Sequence, residues 1–211
     1  MGDRMGLRPL CRTALAALLL LYTTSAFAHH VMGGETPSTF AEGLLSGIGH
    51  PIIGADHLAF LLAIGIAVGI GGLNLALPAL FVLASAIGVM LHVNGIDLPW
   101  AEMIVAGSVL LAGVLIARGR ALSVWWWAAL FMVAGLFHGY AFGESIVGAE
   151  KSPLQAYLVG LMLIQSALAV ATALFVRWRG GSVSELAPRL IGAAIGGVGL
   201  TALIGQLVPG A

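Results

Sequence analysis

Charge is what this sequence has least of. Only 9% of its 211 residues are Asp, Glu, Lys or Arg, while 60% are hydrophobic and the mean hydropathy is +1.04. A soluble domain carries about 25% charged residues, so the composition excludes one and points to an integral membrane protein. The formal net charge is zero and no basic run occurs, which leaves no basis for nucleic acid as a partner. Lysine occurs once, as Lys151, with no glycine-rich loop before it, and this excludes a P-loop nucleotide site. Cysteine also occurs once, as Cys11, which excludes an internal disulfide.

What is present begins with a leader. Arg4, Arg8 and Arg12 form a cationic start, 13–22 is a short apolar core, and Ala26-Phe27-Ala28 is a small-residue cleavage site. Residues 1–28 are therefore predicted to be a cleaved signal peptide. The domain 29–211 then starts at His29 on the periplasmic side of a bacterial inner membrane. Cys11 leaves with the leader, so thiolate ligands are absent from the mature chain.

Six later stretches are apolar and approach the roughly 20 residues needed to cross a hydrocarbon core: 51–70, 73–92, 100–117, 122–142, 153–176 and 190–208. The expected fold is an all-α membrane protein, a six-transmembrane helix bundle in contact with the lipid bilayer. With His29 outside, the inner loops carry Arg118, Arg120, Arg177, Arg179 and Arg189, against Lys151 alone outside, as the positive-inside rule requires. Thr39 and Glu42 have capping-box spacing. They predict a short amphipathic helix on the outer surface, with Phe40, Leu44, Leu45 and Ile48 on its apolar side, ending at Gly49. Pro51, Pro99 and Pro153 fall where a first helical turn tolerates proline. The pairs Gly65/Gly69 and Gly192/Gly196 offer surfaces for close helix packing or for a homo-oligomer.

This topology gathers the histidines and most carboxylates at one face. His50, Asp56 and His57 lie near the outer end of the first span, and His92 ends the second. Glu102 opens the third, and His138 and Glu144 lie on the outer part of the fourth. An ionisable group within a span costs a few kcal/mol unless paired, hydrated or bound to a cation, so the clustering predicts a polar cavity open to the outside. Histidine and carboxylate without thiolate suit a divalent metal ion such as nickel, cobalt or zinc. On a straight helix His50 and His57 would stand about 10 Å apart along the axis, with Asp56 about 120° round from His50. A break at Pro51 and Gly54 would swing them together, as in discontinuous transporter helices. Gly139 and Gly143 are the matching flexible points between His138 and Glu144. His29 and His30 would add a free amine and two imidazoles, or form a loose terminus. His92 precedes the turn "NGID" and is either a ligand or an interfacial residue.

The H-x5-D-H pattern in "HPIIGADH" and the stretch "FHGYAFGE" (137–144) together resemble the HupE/UreJ family of nickel and cobalt permeases, associated with hydrogenase and urease maturation. The leader followed by histidine, the six spans and "LPWAEMIVAGSV" are similar to that family too. The resemblance implies that His50, Asp56, His57, His138 and Glu144 handle the metal, with Glu102 matching a family glutamate. It also implies Ni2+ or Co2+ as the transported substrate, a secondary permease rather than an enzyme, and an indirect link to a hydrogenase or urease maturation system. Two other readings stand beside it. One is an intramembrane zinc-dependent hydrolase, with Zn2+ on histidines, Asp56 or Glu144 activating water, and Ser145 at hand. The other is a metal-sensing or chaperone-like membrane subunit. Ser85, Ser108, Gln165 and Ser166 are deeper polar residues that either line an inward path or serve packing.

Overall fold

The protein is described by a computed structural model covering residues 35–182 and 185–208. The predicted leader, His29 and His30 lie outside the described residues. Among the described residues seven α-helices follow in order: α1 (Phe40–Ile53), α2 (Ala55–Ile70), α3 (Ala79–Val93), α4 (Ala101–Ala117), α5 (Val124–Gly143), α6 (Lys151–Trp178) and α7 (Leu186–Leu207), with a 3-10 turn at Glu144–Ile146 after α5.

Among the described residues three segments are long and apolar enough to cross a membrane: Val124–Ile146, Lys151–Trp178 and Leu186–Leu207. The pair α1 and α2 makes a fourth if it counts as one span, bent by 79° at its break. The chain is thus a multi-pass membrane protein. Every stretch expected to span is helical for most of its length, but α3 and α4 are shorter than anticipated, at 15 and 17 residues. The stretch 73–92 loses its first six residues to turns. Asn74 Oδ1 accepts from the Ala76 amide at 2.8 Å, an Asx turn, and Pro78, lacking an N–H, marks where the helix can begin.

The expected outer-surface helix is corrected most. Its capping box is present: Thr39 Oγ1 accepts from Glu42 N at 3.2 Å, and Glu42 Oε2 accepts from Thr39 N at 3.1 Å. The helix does not stop at Gly49 but continues through His50 and Pro51 to Ile53. Nor does it lie apart on the surface, because it packs along α6. Gly43 and Gly47 allow this, their Cα atoms resting on the backbone of Pro153 and Tyr157. Pro51 therefore sits in a last helical turn, not a first one. Pro153 occupies the first turn of α6 as expected.

Helix α2 is the centre of the bundle, touching α1, α4, α5, α6 and α7. Its Phe60, Leu61, Ile64 and Val68 are fully buried in the main apolar core, with Phe81, Val109, Phe131 and Ala173 from its neighbours. Around it the closest pairs are α3 with α5, α4 with α7, and α1 with α6. Small residues set these approaches, as anticipated for Gly65 and Gly69, which meet Thr172 and Val176 of α6, and for Gly192, which meets Gly113 and Ala117 of α4. One end of the bundle carries the histidines. At the other, Arg177 donates to the Leu73 carbonyl and Arg189 Nε to the Ala117 carbonyl at 3.2 Å, placing cations where helices α2 and α4 end.

Candidate metal site

The break between α1 and α2 brings together residues that a straight helix would hold apart. Gly54 ends α1, its amide donating to His50 O at 3.1 Å, and α2 starts at once in a new direction. As a result the His50 and His57 rings lie 5.9 Å apart, centroid to centroid. Gly54 has φ −70°, which any residue adopts, so it is not needed as a hinge. It is needed because the His57 ring lies over it: a Cβ there would stand 2.6 Å from His57 Cδ2. Asp56 is half-buried in the first turn of α2, and its Oδ1 accepts from His57 N at 2.8 Å.

His138 arrives from α5. Its Nδ1 is 2.8 Å from His57 Nδ1 and its Nε2 is 2.9 Å from Ser108 Oγ on α4. The single Ser108 proton goes to Val105 O at 2.7 Å, so Ser108 accepts from His138 Nε2–H. With neutral rings, His138 Nδ1 then accepts from His57 Nδ1–H, which leaves the lone pair of His57 on Nε2. A second chain holds His50. Tyr157 Oη donates to Phe142 O at 2.7 Å, Ser145 Oγ donates to Tyr157 Oη at 3.2 Å, and His50 Nδ1 lies 3.0 Å from Ser145 Oγ. Ser145 Oγ also lies 3.2 Å from Phe142 O and Tyr157 Oη 3.3 Å from His50 Nδ1, so two hydroxyls hold the Nδ1 edge of the His50 ring. Phe142 packs against both rings, 5.2 Å from His50 and 4.2 Å from His57, and Phe60 covers His138 at 4.7 Å. All three histidines are buried.

The remaining candidates stand elsewhere. His92, Glu102 and Glu144 line an open cavity of about 370 Å3, together with Trp100, Tyr140 and Gln206. His92 Nδ1 donates to Tyr140 O at 2.7 Å and stacks on the Tyr140 ring at 4.3 Å. It is therefore fixed by the fold rather than loose at the interface. Trp100 shapes the cavity rim in the left-handed region, φ 65°, an uncommon state for a bulky residue and one found at functional sites. Glu144 parts from His138 because a six-residue step turns about 120° round a helix, and α5 ends at Gly143. Gly139 and Gly143 are not flexible points: they press against Ser85 and His92 of α3. Among the described residues no three His, Asp or Glu side chains converge in a ready metal site. The candidates instead form a buried histidine cluster and an open acidic cavity.

Sequence reasoning missed Tyr157. Its signal was present: a tyrosine one turn after Pro153 in an apolar span has a hydroxyl that must find a partner.

A family model described as HupE / UreJ protein matches residues 16–202. The chain belongs to the HupE/UreJ family. It is 30% identical over 195 residues to Protein HupE of Rhizobium leguminosarum bv. viciae, covering 92% of this chain and 96% of that one. No solved structure matches. The family match takes in the buried histidine cluster and every named residue of the open cavity except Gln206.

Proposed function

We propose that this HupE/UreJ chain is a secondary permease that takes up Ni2+ or Co2+ across the bacterial inner membrane and supplies a hydrogenase or urease maturation system. The observation that supports this reading is the packing of three buried histidines inside an apolar bundle, His57 of α2 against both His50 of α1 and His138 of α5. Family membership supports a transporter over an enzyme. The six helical stretches, with a bent first span and short second and third, would cross the membrane with the histidine end outward. Exposed Trp100 at that end, and Trp125, Trp126 and Trp178 at the other, suit interfacial belts. Residues 1–28 would be the signal peptide of the 29–211 permease domain.

In this mechanism Glu102, Glu144 and His92 capture the ion in the open cavity, where two carboxylates concentrate cations. His50 and His57 then take it through Nε2, with Asp56 beside them supplying negative charge. The two hydroxyl chains hold the opposite ring nitrogens, an arrangement typical of imidazole metal ligands. His138 is a positioning residue, since both its nitrogens serve to orient His57. The membrane potential favours inward movement of a divalent ion by roughly 4 to 5 kcal/mol per 100 mV, at about 2.3 per charge. Of the two carboxylates a zinc hydrolase could use, Glu144 lines the cavity while Asp56 stands beside His57, and the Ser145 hydroxyl is taken up between His50 and Tyr157; family membership is what favours the permease.

The test is radioactive nickel uptake by cells producing the chain, with His57→Ala and Glu144→Ala variants at matched membrane abundance. Loss of uptake in His57→Ala and a raised half-saturating concentration in Glu144→Ala are expected. Uptake that neither substitution alters would overturn the permease reading.

A further inference from the structure

Below the histidines a polar pair stands alone in the apolar core. Gln165 of α6 and Ser85 of α3 are both fully buried, and Gln165 Nε2 donates to Ser85 Oγ at 3.0 Å. The other end of the amide has no partner: Gln165 Oε1 is the one buried side-chain N or O atom without a hydrogen bond among the described residues. Packing does not call for this. A methionine or leucine fills the same volume without leaving an acceptor unsatisfied, and such acceptors are rare in native interiors. The serine hydroxyl would pair equally well within its own helix.

The position is as telling as the chemistry. Gln165 lies eight residues beyond Tyr157 on α6, roughly 12 Å further from the histidine end. Ser85 packs its backbone on Gly139, next to His138. Past Gln165 the buried residues of α6 are Ala169 and Ala173, and those of α2 at this end are Ile64, Ile66, Ala67 and Val68. Among the buried residues of α2 and α6, no polar side chain lies beyond this amide.

We infer that Gln165 Oε1, steadied by Ser85, is a second and inner binding station for a partly hydrated divalent cation on its way from the histidine cluster to the opposite face. The inference rests on the permease reading. A carbonyl oxygen offers a lone pair either to the ion or to a proton of its hydration water, and it holds both weakly enough for onward release. No bond is made or broken. The station supplies polarity where the ion would otherwise enter hydrocarbon.

Initial 63Ni2+ uptake by cells and equilibrium Ni2+ binding by the purified full chain in detergent test this, with Gln165→Met, Gln165→Glu and His57→Ala compared at matched abundance. Gln165→Met, of similar volume but without the oxygen, should slow uptake about tenfold while binding at the histidines stays unchanged. Gln165→Glu keeps an oxygen acceptor and should transport better than Gln165→Met. If Gln165→Met fails to reach the membrane, Ser85→Ala, which frees the amide, should slow uptake with binding preserved. Normal uptake in Gln165→Met with uptake lost in His57→Ala would overturn the inner station alone, as would equal impairment of the Met and Glu variants. Normal uptake in all variants would overturn the permease reading itself.

Discussion

At the scale of single residues, the histidine cluster depends on hydroxyl groups that carry no charge. Ser108 receives the His138 Nε2 proton and so decides which nitrogen of His57 keeps its lone pair. Ser108→Ala should weaken Ni2+ binding by about 10-fold or more, the usual cost of losing a group behind a metal-binding imidazole, as read by isothermal titration of purified protein. Tyr157→Phe keeps the buried ring but removes the acceptor for Ser145. It also removes the donor to the buried Phe142 carbonyl, so Ni2+ binding should weaken and thermal stability should fall by about 1 kcal/mol. The sequence made the ionisable candidates legible, since a charged or titratable group stands out in an apolar chain. It did not reveal their partners. Tyr157 and Ser108 lie 107 and 30 residues from the histidines they serve, and spacing along one helix says nothing about pairs that only packing creates.

At the scale of helices, glycines set the geometry by letting surfaces touch. Gly54→Ala leaves the backbone unstrained but pushes a methyl group into the His57 ring, only 2.6 Å from its Cδ2. Nickel uptake should fall steeply while membrane abundance is kept. A variant with full uptake would mean that His57 can move without consequence. Gly139→Ala acts differently. Its methyl group would meet the Ser85 backbone and force α3 from α5. A loss of about 1–3 kcal/mol is expected, seen as a lower thermal unfolding midpoint in detergent. The break at Gly54 was legible from Pro51 and Gly54, yet for a partly different reason than expected. Proline ends up inside the last turn, and glycine makes room for a ring. The separation of Glu144 from His138 follows from a six-residue step, about 120° round a helix; what was not legible is that Gly139 and Gly143, read as flexible points, pack against α3 and that α5 ends at Gly143.

At the scale of the whole molecule, two sites at different depths replace the one that the clustered residues suggested. An open acidic cavity and a buried histidine group are lined by different residues, and apolar core fills the rest of the bundle. Such a layout predicts that uptake follows the membrane potential: a valinomycin-imposed potassium diffusion potential, inside negative, should accelerate nickel entry into vesicles, and its reversal should stop it. Entry independent of the imposed potential would argue for a different driving force. The bend between α1 and α2 adds an electrostatic consequence of its own. Each half-helix carries a dipole of about half a charge at either end, and a straight span would bury neither end at the break. Bent by 79°, the chain turns the carbonyl end of α1 and the amide end of α2 into different directions beside the histidines. The amide end already has Asp56 in its first turn, so the carbonyl end contributes a fixed negative potential that no protonation removes. The backbone itself would then favour cations over anions beside the neutral imidazoles.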